Sequence, residues 1–121
     1  MTQNDYKYAV VDLEATGTGS SAKIIQIGIV LIENGIITKA YETDVNPHEE
    51  LDEHIKELTG LDDERLGRAP EFSQVAAEVY ELIQDAIFVA HNVKFDANLL
   101  AEALFWEGFE LLTPRVDTVE L

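Results

Sequence analysis

The sequence predicts a single α/β domain in which a mixed β-sheet carries helices on its faces. Three strand-like segments open the chain, and Asn34-Gly35 between the last two is a strong hairpin signal. Strand, helix and strand patterns follow in the second half, which indicates a βαβ unit beside the antiparallel strands. The strands are predicted at about 6–12, 23–32, 36–45, 86–90 and 114–118. The helices are predicted at about 51–58, 71–85 and 95–107, with a further helical turn at about 62–66.

The elements differ in the spacing of their apolar residues. The first strand is a short apolar run, and the second is apolar on nearly both faces, so we expect it to be covered on both sides. Asn46-Pro47 ends this region, and Gly60 ends the first short helix. Pro70 precedes the next helix, whose apolar residues form a single stripe. That stripe comprises Phe72, Val75, Ala76, Val79, Leu82 and Ile83.

The composition of these 121 residues, 46% of them hydrophobic, fits one globular domain spanning residues 1–121. The chain has no cysteine, which excludes disulfides and cysteine-ligated zinc and fits a cytoplasmic protein. The N-terminus lacks the basic and apolar regions of a signal peptide, and no apolar run is long enough to span a membrane. We therefore expect a cytoplasmic protein without a membrane partner.

The net charge of −16 is unfavourable for binding nucleic acid, because phosphates bind chiefly to Lys and Arg and the chain has only 8 of these. Ten acidic residues lie between Glu42 and Glu64, most simply as a solvated face. We expect this chain alone to bind long nucleic acid weakly, so that affinity comes from a neighbouring domain or partner.

A pair of acidic residues closes the first strand. Side chains alternate along a strand, so Asp12 and Glu14 point to the same side, just before Gly17 and Gly19 turn the chain. Two carboxylates on one face repel each other unless water or a cation neutralises them. Oxygen ligands of this kind suit Mg²⁺ or Mn²⁺, and a solvated strand end is the alternative.

A third acid lies where a later strand gives way to a helix. Apolar residues recur at helical spacing from Phe95 onward, which places Asp96 in the first turn of that helix. An acid there gains from the helix dipole, so alone it indicates no more than a helix start. With Asp12 and Glu14 it predicts a carboxylate cluster at one end of the sheet.

These residues resemble the motifs of the DnaQ-like exonucleases of the DEDDh type. The first motif, Asp-x-Glu-x-Thr-Gly, matches residues 12–17, and the second matches His91, Asn92, Phe95 and Asp96. The run 23–28 resembles the second strand of that family, in which many members carry Glu at the place of Gln26. Segments 59–61 and 69–72 resemble the connecting region, so the likeness covers nearly the whole chain.

The resemblance implies a ribonuclease-H-like fold and removal of nucleotides from a 3′ end, with two Mg²⁺ or Mn²⁺ ions as cofactors. By this resemblance Asp12 binds both ions, Glu14 the ion nearer the attacking water, and Asp96 the other ion. The implied partner is a nucleic-acid 3′ end, with single-stranded DNA favoured and RNA the other candidate. The implied substrate-contacting residues are Leu13, Ala15, Thr16, Gly17, His91, Asn92 and Phe95. For Phe95, a place in the core is an equal alternative.

The chain departs from this family in one respect. Members carry a third motif, His-x4-Asp, that supplies the general base and the fourth metal ligand, whereas no histidine follows Asp96 here. We interpret Asp117 as a turn or helix-cap acid. We expect a C-terminally truncated domain with weak or no activity, taken from a larger replication or repair protein. The resemblance extends to the exonuclease domains of DinG-type helicases and of bacterial replicative polymerases.

Two other classes of protein stay open at this point. One is a catalytically impaired nucleic-acid-binding or structural module within a helicase or polymerase. The other is a phosphoaspartyl phosphatase, whose Asp-x-Asp-x-Thr motif resembles residues 12–16; Glu14 in place of the second Asp counts against it.

Overall fold

The computed structural model of the chain describes residues 6–17, 19, 21–112 and 115–117, with the backbone alone for 115–117. The strands are β1 (Lys7–Ala15), β2 (Ile24–Glu33), β3 (Ile36–Asp44), β4 (Ile87–Ala90) and β5 (Arg115–Asp117). The helices are α1 (Glu53–Thr59), α2 (Asp63–Gly67), α3 (Phe72–Ile83) and α4 (Val93–Trp106). The order of elements agrees with the sequence prediction, and the helical turn expected at 62–66 is α2.

The sheet is mixed, as predicted. Its strand order in the described part of the chain is β3-β2-β1-β4-β5. β1 pairs antiparallel with β2 and parallel with β4, while β2 pairs antiparallel with β3 and β4 parallel with β5. At the β2–β3 hairpin, Asn34 and Gly35 both have positive φ angles, 54° and 79°. Such angles are typical of the tight turn that the Asn-Gly pair predicts.

β1 is longer than the sequence indicated. The predicted strand ended at residue 12, whereas β1 continues through Glu14 to Ala15. The reason is its pairing with β2, which extends to Glu14 opposite Gln26 and, after a bulge, to Ala15 opposite Ile24. The two acidic residues of the first motif therefore lie on a paired strand and share its alternation.

The main core lies on one face of the sheet, where α3 and α4 pack. Ala9, Val11 and Leu13 of β1 point into it, next to Ile27 and Ile29 of β2. The helices contribute Val75, Ala76, Val79, Leu82, Ile83, Ala97, Leu100 and Leu104. Alternation along β1 then sends Asp12 and Glu14 to the opposite face of the sheet.

The opposite face of the sheet is less covered than predicted. β2 was expected to be covered on both sides, but Val10, Val30 and Ile32 are only half-buried and belong to neither hydrophobic cluster. Apolar composition does not by itself provide a covering element. A second, smaller cluster of Ile25, Leu51, Leu61 and Leu66 holds α1 and α2 at the end of β2 instead.

The acidic segment from Glu42 to Glu64 is less uniformly solvated than predicted. Asp52 caps α1 by accepting a hydrogen bond from the Ile55 N–H, and Asp62 caps α2 in the same way. Asp63 accepts from the Leu51 N–H at 2.8 Å. Such caps each stabilise a helix by about 1 kcal/mol, so part of this charge is structural. No helix within the described ranges has the length and apolar character needed to cross a membrane.

Candidate active site

β1 presents its two acids on the face of the sheet that α3 and α4 leave open. Leu13 between them is buried in the core, whereas Asp12 is exposed and Glu14 half-buried. A shallow cleft of about 370 Å³ borders Asp12 on this face, and Val10, Gly28 and Glu42 contribute to its walls. The cleft gives a ligand access to the Asp12 carboxylate.

α4 brings the third acid to the end of β1. Asp96 lies in the first turn of α4. Its side chain is 8% exposed, and among the described residues it is the only charged side chain that is buried. The backbone N–H of Leu13 donates a hydrogen bond to the Asp96 carboxylate. This bond ties the start of α4 to β1 at the residue between Asp12 and Glu14.

The three carboxylates influence one another electrostatically. Burial, followed by the charges of Asp12 and Glu14, raises the pKa of Asp96 from 3.8 to about 6, against the opposing effects of His91 and the Leu13 bond. Burial and the charge of Asp12 also raise the pKa of Glu14. Each shift reports a carboxylate whose charged form is disfavoured first by burial and then by neighbouring carboxylates.

The donor set fits a divalent cation in chemistry but is not preassembled around one. Carboxylate oxygens are the ligands that Mg²⁺ and Mn²⁺ prefer, and a cation would relieve the repulsion that raises the pKa of Asp96. In the described part of the chain, however, no three His, Asp or Glu side chains are arranged so that they could hold a metal ion. Asp12, Glu14 and Asp96 thus do not form a preassembled metal site among the described residues.

The loop after β1 is fixed at its start. The Thr16 N–H donates to the Lys23 carbonyl at 2.9 Å, and the Thr16 hydroxyl accepts from the Lys23 N–H at 2.9 Å. Gly17 has open space around it, with no atom within 4 Å of where a Cβ would lie. Two other first-motif residues were expected to contact the substrate. Leu13 is buried, so only its backbone is available to a ligand. Ala15 is half-buried and lies at the bulge of β1.

The residues of the second motif surround the start of α4. His91 and Asn92 are exposed, and the Asn92 carbonyl accepts a hydrogen bond from the Asp96 N–H. Asn92 makes no side-chain cap, so its amide is not engaged by the helix end. Phe95 is half-buried and lies outside both hydrophobic clusters of the described residues. The side chain of Asp117 lies outside the described residues.

Sequence reasoning missed a group of polar residues beside Glu14. Gln26 is the register partner of Glu14 on β2, and Asp44 is the partner of Gln26 on β3. Arg65 of α2 binds Asp44 through Nε and Nη2, at 2.6 and 3.0 Å, and lowers the pKa of that carboxyl. The hairpin register could have indicated the first two residues, but nothing local indicates Arg65.

Known exonucleases resemble this chain in sequence. The chain matches the exonuclease family model RNase T over residues 9–121. It is 40% identical over 121 residues to the 3′-5′ exonuclease DinG of Bacillus subtilis (strain 168), covering 98% of this chain and 13% of that protein. The DinG of Staphylococcus aureus (strain USA300) is 45% identical over 116 residues, covering 94% of this chain and 13% of that protein. The chain thus spans a small part of these curated relatives.

Solved structures share the fold at low sequence identity. Product-bound exonuclease I has a TM-score of 0.83 and 14% identity, over 97% of this chain and 31% of that chain. E. coli exonuclease I in complex with a dT13 oligonucleotide has a TM-score of 0.80 and 13% identity, over 93% of this chain and 28% of that chain. This likeness confirms the ribonuclease-H-like fold. With the family match over residues 9–121 and the identity to DinG, the chain belongs to the exonuclease family, as a relative of the DinG 3′-5′ exonucleases.

Proposed function

We propose that this chain is the exonuclease domain of a larger cytoplasmic protein and that it hydrolyses nucleotides from the 3′ end of single-stranded DNA. The observation that carries this proposal is the hydrogen bond from the Leu13 N–H to the buried Asp96 carboxylate. It fixes the second-motif acid beside the two acids of the first motif. The family match and the partial coverage of the DinG relatives support a domain of this kind.

Asp12, Glu14 and Asp96 are the residues that would hold two divalent ions, Mg²⁺ or Mn²⁺. Bound there, the ions would supply Lewis-acid activation of water and would stabilise the negative charge on the departing oxygen. Asp12 is the most exposed of the three acids and borders the open cleft, so it would be the first of them to meet an entering ion. Glu14 and Asp96 would supply the further ligands. Asp96, held by Leu13, acts as the fixed point of the set.

The residues that flank these acids are suited to hold a nucleotide. At Gly17 the backbone is open to a sugar or base, because no neighbouring atom occupies the space of a missing side chain. The Asn92 amide offers both a donor and an acceptor to the substrate, and Phe95 offers a ring face. The substrate preference is supported by a fold neighbour, exonuclease I, solved with a dT13 oligonucleotide.

The charge distribution supports a requirement for further domains. Five of the described cations already form ion pairs with acidic side chains: Lys7, Lys23, Lys56, Arg65 and Arg68. With a net charge of −16, this chain has little positive surface left for phosphates. We propose that most of the affinity for DNA comes from other domains of the same polypeptide.

The experiment compares the chain with its Asp96→Asn variant on a 3′-labelled single strand in Mn²⁺. Glu102→Gln is the matched control, because it removes one negative charge from an exposed position of the same helix. We expect Mn²⁺-dependent release of 3′ nucleotides by the wild type and the control, and about 100-fold less by Asp96→Asn. Equal release by all three proteins, or release from the 5′ end, would contradict the proposal.

A second candidate is a binding module with little catalysis. It is favoured by the net charge of −16 and by the lack, among the described residues, of three His, Asp or Glu side chains arranged to hold a metal ion. Binding of Mn²⁺ and of a 3′ end without any hydrolysis would identify this function.

A further inference from the structure

A row of three polar side chains crosses the open face of the sheet and begins at Glu14. Glu14 on β1 pairs with Gln26 on β2, and Gln26 pairs with Asp44 on β3. Directly opposed residues of neighbouring strands share a face, with Cβ atoms about 5 Å apart. An interaction that determines the position and charge of Asp44 and Gln26 therefore affects the surroundings of Glu14.

Arg65 determines both the position of the Asp44 side chain and the balance of its charge. Its Nε donates to Asp44 Oδ2 at 2.6 Å and its Nη2 to Asp44 Oδ1 at 3.0 Å. This is a bidentate ion pair, in which the planar guanidinium fixes the direction of the carboxylate as well as balancing its charge. The pair also joins two elements far apart in sequence, because Arg65 belongs to α2 and Asp44 ends β3.

Asp44 in turn sets the orientation of Gln26. The Gln26 Nε2 donates to Asp44 Oδ1 at 3.0 Å, the same oxygen that accepts from Arg65 Nη2. This bond holds the half-buried Gln26 amide against Asp44, on the face of the sheet that also carries Glu14.

We propose that Arg65 is a positioning residue for the proposed metal ligand Glu14. It acts on the surroundings of Glu14 through Asp44 and Gln26. This inference rests on the proposed function. Arg65 performs two tasks: it balances the charge of Asp44, which would otherwise compete with Asp12 and Asp96 for a cation, and through Asp44 it orients the Gln26 amide on the face that carries Glu14. Residues that orient metal ligands from outside the coordination shell commonly affect metal binding and rate in this way.

The test measures Mn²⁺ affinity, by electron paramagnetic resonance of the free ion, and Mn²⁺-dependent turnover of a 3′-labelled single strand. In Arg65→Met the uncompensated Asp44 lies about 10 Å from Glu14, two strand spacings away. At low salt we expect Mn²⁺ affinity to rise about twofold to fourfold through this added charge. We expect turnover to fall about 10-fold, because the ion is drawn toward Asp44.

A charge-balanced variant separates the two tasks. Asp44→Leu combined with Arg65→Met restores the net charge but leaves the Gln26 amide without its acceptor. We expect Mn²⁺ affinity to return to the wild-type value while turnover stays low. Turnover restored to the wild-type level by this double variant would overturn the positioning role.

Arg68→Met is the matched control for the loss of one positive charge. Among the described residues, Arg68 forms an ion pair with Glu64 at 3.8 Å, and its side chain is 70% exposed. Equal affinity and turnover in Arg65→Met and Arg68→Met would overturn the inference while leaving the proposed function intact. Mn²⁺ binding that is unaffected by Asp12→Asn, in a wild type without turnover, would instead count against the proposed function. Where turnover is too low to compare, a lack of difference in Mn²⁺ affinity between Arg65→Met and Arg68→Met overturns the inference.

Discussion

Replacing Asp96 with Asn should stabilise the metal-free protein at neutral pH, although it removes a residue of the proposed site. The pKa of Asp96 lies at about 6 instead of 3.8 because of burial and the charges of Asp12 and Glu14. This difference corresponds to a cost of at most about 3 kcal/mol for holding the ionised carboxylate in the folded state. Asn has nearly the same shape and its oxygen can still accept from the Leu13 N–H. We expect about 1–2 kcal/mol of the cost to be recovered.

The sign of the pH dependence follows from the direction of the shift. The pKa is raised in the folded state, so between about 3.8 and about 6 the folded protein binds more protons than the unfolded chain. Stability of the wild type therefore falls as the pH rises through this window, and the full cost is present above it. The advantage of Asp96→Asn should be complete at about pH 7.5 and reduced to about half at about pH 5.

Urea unfolding in the presence of a chelator, at both pH values, measures this effect. Glu102→Gln serves as the control for the loss of one negative charge, because that residue is exposed on the same helix. The prediction is wrong if Asp96→Asn is not more stable than the control at the higher pH, or if its advantage in the free energy of unfolding does not decrease at the lower pH. Either result would mean that the Asp96 carboxylate is not destabilised by burial and by Asp12 and Glu14.

Outcomes can be stated for three further variants. Mn²⁺ should raise the melting temperature of the wild type but not that of Asp12→Asn, because the ion stabilises only the state that binds it; an equal rise in both would place the ion elsewhere. Gly17→Ala should leave the free energy of unfolding within about 0.5 kcal/mol, since no atom of the described residues beyond its chain neighbours lies within 4 Å of the new Cβ. The same variant should raise the KM for a 3′ end, and an unaltered KM would show that the substrate does not approach Gly17. Joining a segment with the His-x4-Asp motif after residue 121 should raise turnover by about 10²–10⁴-fold, and equal turnover would mean that His91 or water serves as base.

The sequence by itself determined the elements and the face on which the first two acids lie. Alternation of apolar residues along β1 placed Asp12 and Glu14 together, and helical spacing after Phe95 placed Asp96 in the first turn of α4. These features depend on residues a few positions apart, whose relative directions are fixed by the local backbone. The Asn34-Gly35 turn belongs to the same class, because its positive φ angles suit those two residue types.

Only the tertiary structure decided what surrounds these acids. The length of β1 came from its pairing with β2, and the burial of Asp96 from the docking of α4 against Leu13. The contact of Arg65 with Asp44 spans 21 positions in sequence and requires that α2 be anchored at the end of β2. The open face of β2 likewise depends on which elements reach it, and its apolar composition could not decide that. Such features are long-range because the register of strands and the docking of helices are set by the packing of the whole core, which local spacing does not contain.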